Sequence, residues 1–316
     1  MTAWGRSMAQ TQMWTGVYPA VTTKFTADDR LDIAEMERCF ALQLDAGVHG
    51  LIVCGSLGEA STLEPEEKIA VLKTAVRVAK GRVPVLLTVV DGSTRRAQAL
   101  AEAGARNGAA GFMVLPGVPY RSDPRETLAH YRAVAKAGQL PVMIYNNPIA
   151  YGVDITPAML TDLAADPLFV AVKESSDDVR RVTKIFNLCG ERFRIFTGVD
   201  NLALESFAMG AHGWVAGLVC AFPAETVAIW DLAKAGRLAE ALAIYRWFQP
   251  LLDLDVSSKL VQNIKLVEAL AINSNDRCRA PRLALAGEER TRVEAIVKKA
   301  LAARPALSVH KRAKTA

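Results

Sequence analysis

The chain has 316 residues, 51% hydrophobic and 22% charged, which excludes a disordered polypeptide and leaves ample material for a core. Its net charge of +5 includes Lys311, Arg312 and Lys314 at the extreme C-terminus, so the body has little excess charge and no nucleic-acid surface is expected. No run approaches the roughly 18 apolar residues of a membrane span and Met1–Thr15 lacks a continuous apolar stretch with a cleavage site, so an unexported protein is expected; Cys39, Cys54, Cys189, Cys220 and Cys278 show no disulfide or zinc spacing, as expected of reduced thiols in a cytoplasmic protein.

From Val17 to about Gly236, short apolar or β-branched runs alternate with amphipathic windows, the pattern of successive βα units on a parallel sheet. Strands are expected to begin near Val17, His49, Val83, Gly111, Pro141, Phe169, Phe193 and Gly213. The helices between them fall at 32–46, 65–80, 94–107, 124–136, 156–164, 179–188 and 202–209. Asp123-Pro124 and Thr156-Pro157 place a capping side chain before a proline at the first helical position, and Gly47, Gly81 and Gly210 stop helices.

Eight such units favour an α/β fold of the (β/α)8 TIM barrel type over a doubly wound sheet, and no G-x-G-x-x-G follows the first strand. After the eighth unit only helical windows remain, at 238–252, 259–271 and 288–302. Residues 1–15 therefore read as an N-terminal tail, 16–236 as the catalytic barrel, and 237–316 as a C-terminal three-helix extension with a basic tail. That extension is expected to cover the barrel or meet another subunit rather than to take part in catalysis.

In such a barrel the active site lies at the carboxyl ends of the strands. The sixth strand ends in Lys173, a single lysine closing the run Phe169-Val170-Ala171-Val172. An amine beside low-dielectric surface is driven towards its neutral form, which attacks a carbonyl to form a Schiff base; a strand-end lysine facing water is the ordinary alternative. The fifth strand gives Tyr145, whose phenol can donate and accept a proton, or which is a core tyrosine with a satisfied hydroxyl. Strands lie roughly 5 Å apart, so the two side chains can touch if both point inward. Period two puts Phe169 and Ala171 on the face of Lys173, and Met143 on that of Tyr145. The second strand leads into Gly55-Ser56-Leu57-Gly58-Glu59, where flanking glycines allow a sharp turn whose N–H groups can hold a carboxylate. His49, His130, His212 and His310 lack metal spacing and are taken as structural or surface residues.

Taken in order, Gly55-Ser56-Leu57-Gly58-Glu59, Tyr145-Asn146-Asn147-Pro148, Val172-Lys173-Glu174-Ser175-Ser176 and Gly198-Val199-Asp200 resemble the dihydrodipicolinate synthase/N-acetylneuraminate lyase family over nearly the whole chain. The resemblance implies a Schiff-base lyase with no metal or organic cofactor, usually a homotetramer, acting on a small 2-oxo acid. It makes Lys173 the Schiff-base lysine and Tyr145 the proton relay. Gly55, Ser56 and Leu57 would take the substrate carboxylate, and Gly198 and Val215 would line the pocket. The chain also departs from the synthases of this family. Leu57 stands in place of a second hydroxyl residue and Ala150 in place of an arginine. Val118 stands where a second relay tyrosine is usual, with Tyr120 two residues on as a possible substitute.

These departures disfavour condensation with aspartate semialdehyde. The stretches 213–217, 251–255 with 259–262, and 279–283 look most like the branch that deaminates 1-pyrroline-4-hydroxy-2-carboxylate in hydroxyproline degradation. A 2-keto-3-deoxy sugar acid dehydratase, a 4-hydroxy-2-oxoglutarate aldolase, dihydrodipicolinate synthase itself and a catalytically silent metabolite-binding barrel remain the alternatives.

Overall fold

A computed structural model of the protein describes residues 14–307. Most of the expected N-terminal tail, the basic C-terminal tail and His310 lie outside the described residues. Eight parallel strands run β1 (Gly16–Pro19), β2 (Leu51–Val53), β3 (Val85–Val89), β4 (Gly111–Val114), β5 (Val142–Asn146), β6 (Phe169–Glu174), β7 (Arg194–Thr197) and β8 (Gly213–Ala216). Each pairs with its neighbour in sequence and β1 pairs with β8. The bridge Ala20↔Ile52, with Val21 N donating to Ile52 O at 3.0 Å and His49 N to Val17 O at 2.8 Å, joins β1 to β2. The sheet is thus closed on itself as a (β/α)8 TIM barrel.

The helices follow as α1 (Ile33–Asp45), α2 (Pro65–Ala79), α3 (Thr94–Arg106), α4 (Pro124–Gly138), α5 (Pro157–Leu163), α6 (Arg180–Cys189), α7 (Ala203–Ala208) and α8 (Pro223–Lys234). Their starts are chemically set. The Asp123 carboxylate accepts from Glu126 N while Glu126 accepts from Asp123 N, and the Thr156 hydroxyl accepts from Met159 N at 3.3 Å, each satisfying N–H groups that a first turn leaves unpaired. Gly47, Gly81 and Gly210 follow helices at φ +89, +73 and +95, where other residues are strained. The second strand begins two residues later than expected, because His49 still serves the closure to β1.

Beyond residue 236 the chain forms α9 (Leu238–Leu252), α10 (Leu260–Ile272) and α11 (Gly287–Ala302). The apolar faces of these helices join the core through Phe248, Leu251, Ile264, Val267 and Val293, so they are packed on the barrel. No described helix is long and apolar enough to cross a membrane.

One irregularity positions the site. Val142 pairs with Phe169 but Met143 pairs with Ala171, so Val170 is an extra residue in β6, a bulge that resets the alternation. Phe169 consequently turns outward against Tyr131 of α4, ring centroids 6.4 Å apart, and does not share the inner face with Lys173 as strict period two predicts. Past the bulge, Tyr145 and Lys173 stand directly opposite each other.

Candidate active site

Lys173 reaches the carboxyl end of β6 with 6% of its surface exposed, and its Nζ lies 4.0 Å from the centre of the Tyr145 ring. Among the described residues it has no carboxylate within salt-bridge distance and no acceptor for its amine. Burial without a close counter-charge lowers its pKa from the ordinary value, opposed more weakly by the surrounding Tyr151, Asp255 and Asp200. Destabilising the ammonium in this way raises the fraction of neutral, nucleophilic amine.

Gly198 follows β7 and its Cα lies against the lysine. A Cβ there would approach Ser175 Oγ to 2.1 Å and Lys173 Cε to 2.5 Å, so only glycine leaves the side chain its path. Val215 is buried on β8 and shares a strand face with Gly213, whose Cα abuts the Phe196 ring, so it belongs to the inner layer of the barrel.

Tyr145 is also buried, and burial raises its phenol pKa, with the Asn147 hydrogen bond opposing. It therefore stays a phenol able to donate and accept a proton. Asn147 Nδ2 donates to Tyr145 Oη at 3.3 Å, while Asn147 Oδ1 accepts from Ala150 N at 2.9 Å and caps the single helical turn Pro148–Tyr151. Asn146 Nδ2 donates to Glu174 at 3.0 Å and Asn146 Oδ1 accepts from Ile155 N at 2.8 Å, tying together the ends of β5 and β6 that carry Tyr145 and Lys173.

Capping that turn has a consequence the sequence pattern missed. It delivers Tyr151 to the site, with its hydroxyl hydrogen-bonded to Ser56 Oγ and its ring edge-on to Tyr145 at 5.7 Å. Tyr151 follows no strand period; the signal for it is Asn147-Pro148, a cap and first residue for one helical turn that ends at Gly152. Ser56, Tyr151, Tyr145 and Lys173 thus form one continuous row.

The turn carrying Ser56 is built differently from expectation. Cys54 and Glu59, rather than the glycines, hold the left-handed conformation, at φ 57 and 56. Gly58 is required by close approach, since a Cβ would sit 3.0 Å from Val21 O and 3.1 Å from Cys54 N. The amides of Ser56 and Leu57 donate to no described residue, so two adjacent N–H groups remain for an anion. Glu59 faces away from the cavity, fully buried and bonded to Lys265 of α10 and to Arg279 N.

Tyr120 is not part of this constellation. It is 61% exposed and its hydroxyl donates to Glu126 at 3.0 Å, at the start of α4, because the 116–123 segment carries it outward from β4. Ala150 is exposed beside Ile149 and brings no charge to the mouth. The C-terminal extension, expected to cover the barrel or meet another subunit, contributes Asp255 to the surroundings of Lys173 and anchors the Ser56 turn through Lys265. Among the described residues no group of three or more His, Cys, Asp or Glu side chains is arranged to hold a metal ion.

A family model described as the dihydrodipicolinate synthetase family matches residues 13–300. The chain is 30% identical over 291 residues to a 4-hydroxy-tetrahydrodipicolinate synthase of Geotalea uraniireducens, covering 90% of this chain and 98% of that one. It is 34% identical over 240 residues to the enzyme of that name from Exiguobacterium sibiricum, covering 76% and 82%. The solved structure of the 4-hydroxy-tetrahydrodipicolinate synthase from Methylacidiphilum fumariolicum superposes with a TM-score of 0.85 at 26% identity, over 92% of this chain and 97% of that one.

Proposed function

We propose that this chain, which belongs to the dihydrodipicolinate synthetase family and is one of its lyases, uses Lys173 to capture C2 of a short 2-oxo acid or its cyclic imine. The observation that carries this reading is the enclosed Lys173 amine, without a carboxylate at bonding distance and 4.0 Å from the Tyr145 ring. In this reading the substrate carboxylate sits on the free amides and hydroxyl of the Ser56–Leu57 turn, with Gly55 and Tyr151 beside it and Gly198 and Val215 lining the wall. Tyr145 moves protons between the adduct and water.

We take the substrate to be 1-pyrroline-4-hydroxy-2-carboxylate and the products 2-oxoglutarate semialdehyde and ammonia. The lysine displaces the ring nitrogen from C2, which opens the ring. The protonated imine then withdraws electrons, so a C3 proton leaves with help from Tyr145 and the C4 hydroxyl departs as water. Loss of a C5 proton and return of one to C3 turns the resulting C3=C4 allylic amine into a C4=C5 enamine, and hydrolysis of that enamine and of the lysine imine releases ammonia and the semialdehyde. Ala150 supports this choice over aspartate semialdehyde, because that position offers no cation to a second carboxylate. We also propose the cytoplasm as its setting and a homotetramer as its assembly.

The test is incubation with the pyrroline, or separately with pyruvate, followed by borohydride reduction and peptide mass mapping. A reduced adduct on Lys173 and release of ammonia from the pyrroline are expected. Labelling at another residue defeats the lysine assignment. Pyruvate release from 4-hydroxy-2-oxoglutarate without ammonia release from the pyrroline makes the chain an aldolase instead.

A further inference from the structure

The turn that follows α9 carries Asp255, which acts electrostatically on Lys173, and its surroundings differ sharply from those of Asp200, the other carboxyl near the lysine. Asp200 accepts from Trp214 Nε1 at 2.9 Å, Leu218 N at 2.8 Å and Gly217 N at 3.1 Å. Asp255 lies on the other side of Gly217. A Cβ on that glycine would stand 2.6 Å from Asp255 Oδ1, so the missing side chain is what admits the carboxyl. No described residue donates a hydrogen bond to the Asp255 side chain.

Its position is fixed nonetheless. Asn263 Nδ2 donates to Leu254 O at 2.9 Å and to Ser257 Oγ at 3.1 Å, Leu254 is buried, and Asp253 accepts from Asn201 Nδ2 at 2.9 Å. A rigid turn therefore holds an acid without hydrogen-bond donors within electrostatic reach of both Lys173 and Tyr145.

Two carboxyls in unlike environments take unlike protonation states. Burial pushes both upward; at Asp200 the N–H donors oppose it, whereas at Asp255 the neighbouring Asp200 charge adds to it and only Lys173 opposes. The three N–H donors thus favour the charged form at Asp200, and burial without a donor favours the protonated form at Asp255.

We propose that Asp255 is the acid that protonates the group leaving C2 when Lys173 closes its imine. The inference rests on the Lys173 reading. Neutral Lys173 adds to C2 of a 2-oxo acid, and transfer of a proton from nitrogen to oxygen gives a neutral carbinolamine. Asp255 then gives its proton to the carbinolamine hydroxyl, the C–O bond breaks, water departs, and the nitrogen lone pair forms the C=N bond. The products are an iminium ion and the Asp255 carboxylate, and hydrolysis of the iminium returns the proton. With a cyclic imine as substrate the ring nitrogen takes the place of the hydroxyl and leaves as the amine.

The experiment measures the rate of borohydride-trappable adduct formation with pyruvate across pH for the full-length protein and for Asp255→Asn and Asp255→Ala. In Asp255→Asn the rate is expected to fall by about 10²–10⁴-fold and the decline at alkaline pH to disappear. In Asp255→Ala added formate is expected to restore part of the rate, which a carboxyl needed only for packing would not show. An unchanged rate in Asp255→Asn overturns the proposal. So does a slowed rate with the original pH profile and no rescue by formate. If the unsubstituted protein forms no adduct on Lys173, the lysine reading itself falls, and the acid with it.

Discussion

Lys24, Lys173 and Lys265 are all withdrawn from solvent, at 0%, 6% and 0% exposure, yet two belong to a framework and one to the candidate site. Lys24 Nζ lies 2.7 Å from Glu268, which also accepts from Thr22 at 2.9 Å; the pair raises the Lys24 pKa although burial is the larger single influence and opposes it. Lys265 donates to Glu59 and, at 2.6 Å, to Arg277 O. Lys173 has only the face of a tyrosine at similar range. Burial by itself is thus not what distinguishes Lys173. Contact with Glu268 reverses the effect of burial at Lys24, contact with Glu59 only opposes it at Lys265, whose pKa stays lowered, and Lys173 has no carboxylate in contact at all, so its desolvation is the least compensated by pairing.

Replacing each lysine or its partner separates the two cases. The largest effect is expected for Lys173→Met, which should lower turnover by about 10⁴-fold or more while leaving the unfolding free energy equal to or above that of the unsubstituted protein in denaturant titrations. A clear loss of stability would show that the amine has a structural partner after all.

Next in size is Glu268→Ala, which strands Lys24 in the core. Breaking a buried pair should cost about 3–5 kcal/mol of unfolding free energy. The double variant Lys24→Met/Glu268→Leu should recover most of that loss, because no charge is left unpaired. If the single and double variants are equally unstable, packing rather than charge holds this corner.

The contrast also has a pH signature. Because the Lys173 pKa lies below the ordinary 10.5, the neutral fraction rises with pH and reaches its ceiling earlier than for a surface lysine. The rate of adduct formation with pyruvate should therefore climb with pH and stop climbing below 10.5, giving way there to the alkaline decline expected from Asp255. A rate still climbing at that pH would contradict the effect of burial. The smallest effect is expected for Tyr120→Phe, which removes one exposed hydrogen bond to Glu126 and should change stability by no more than about 0.5 kcal/mol, with turnover unaffected. A large loss of turnover would bring Tyr120 into the site of a neighbouring subunit.

Much of the site is visible in the linear pattern because barrels put reactive side chains at strand ends, where a change from apolar run to polar residue marks the spot. Lys173, Tyr145 and Ser56 each sit at such a change, and the structure gathers them together. Tyr151 was hidden because its placement depends on one capped helical turn rather than on strand alternation. Phe169 was misplaced because a bulge leaves no trace in a period-two count.

Asp255, Lys265 and Glu268 lie beyond the last strand, where neighbouring residues give no hint of the barrel end they approach. Lys265 and Glu268 are three apart on α10, the spacing of an ordinary helical ion pair. Each instead binds a partner more than 200 residues earlier in the chain.

The sequence by itself determined the eight βα units, their caps and stops, and the residues closing strands β2, β5 and β6, because hydrophobic period and turn chemistry act over a few residues. Only the tertiary structure decided which buried charges find a counter-charge and which do not. That outcome depends on ångström distances between segments far apart in the chain, and Coulomb and desolvation energies are set by those distances, not by the order of residues.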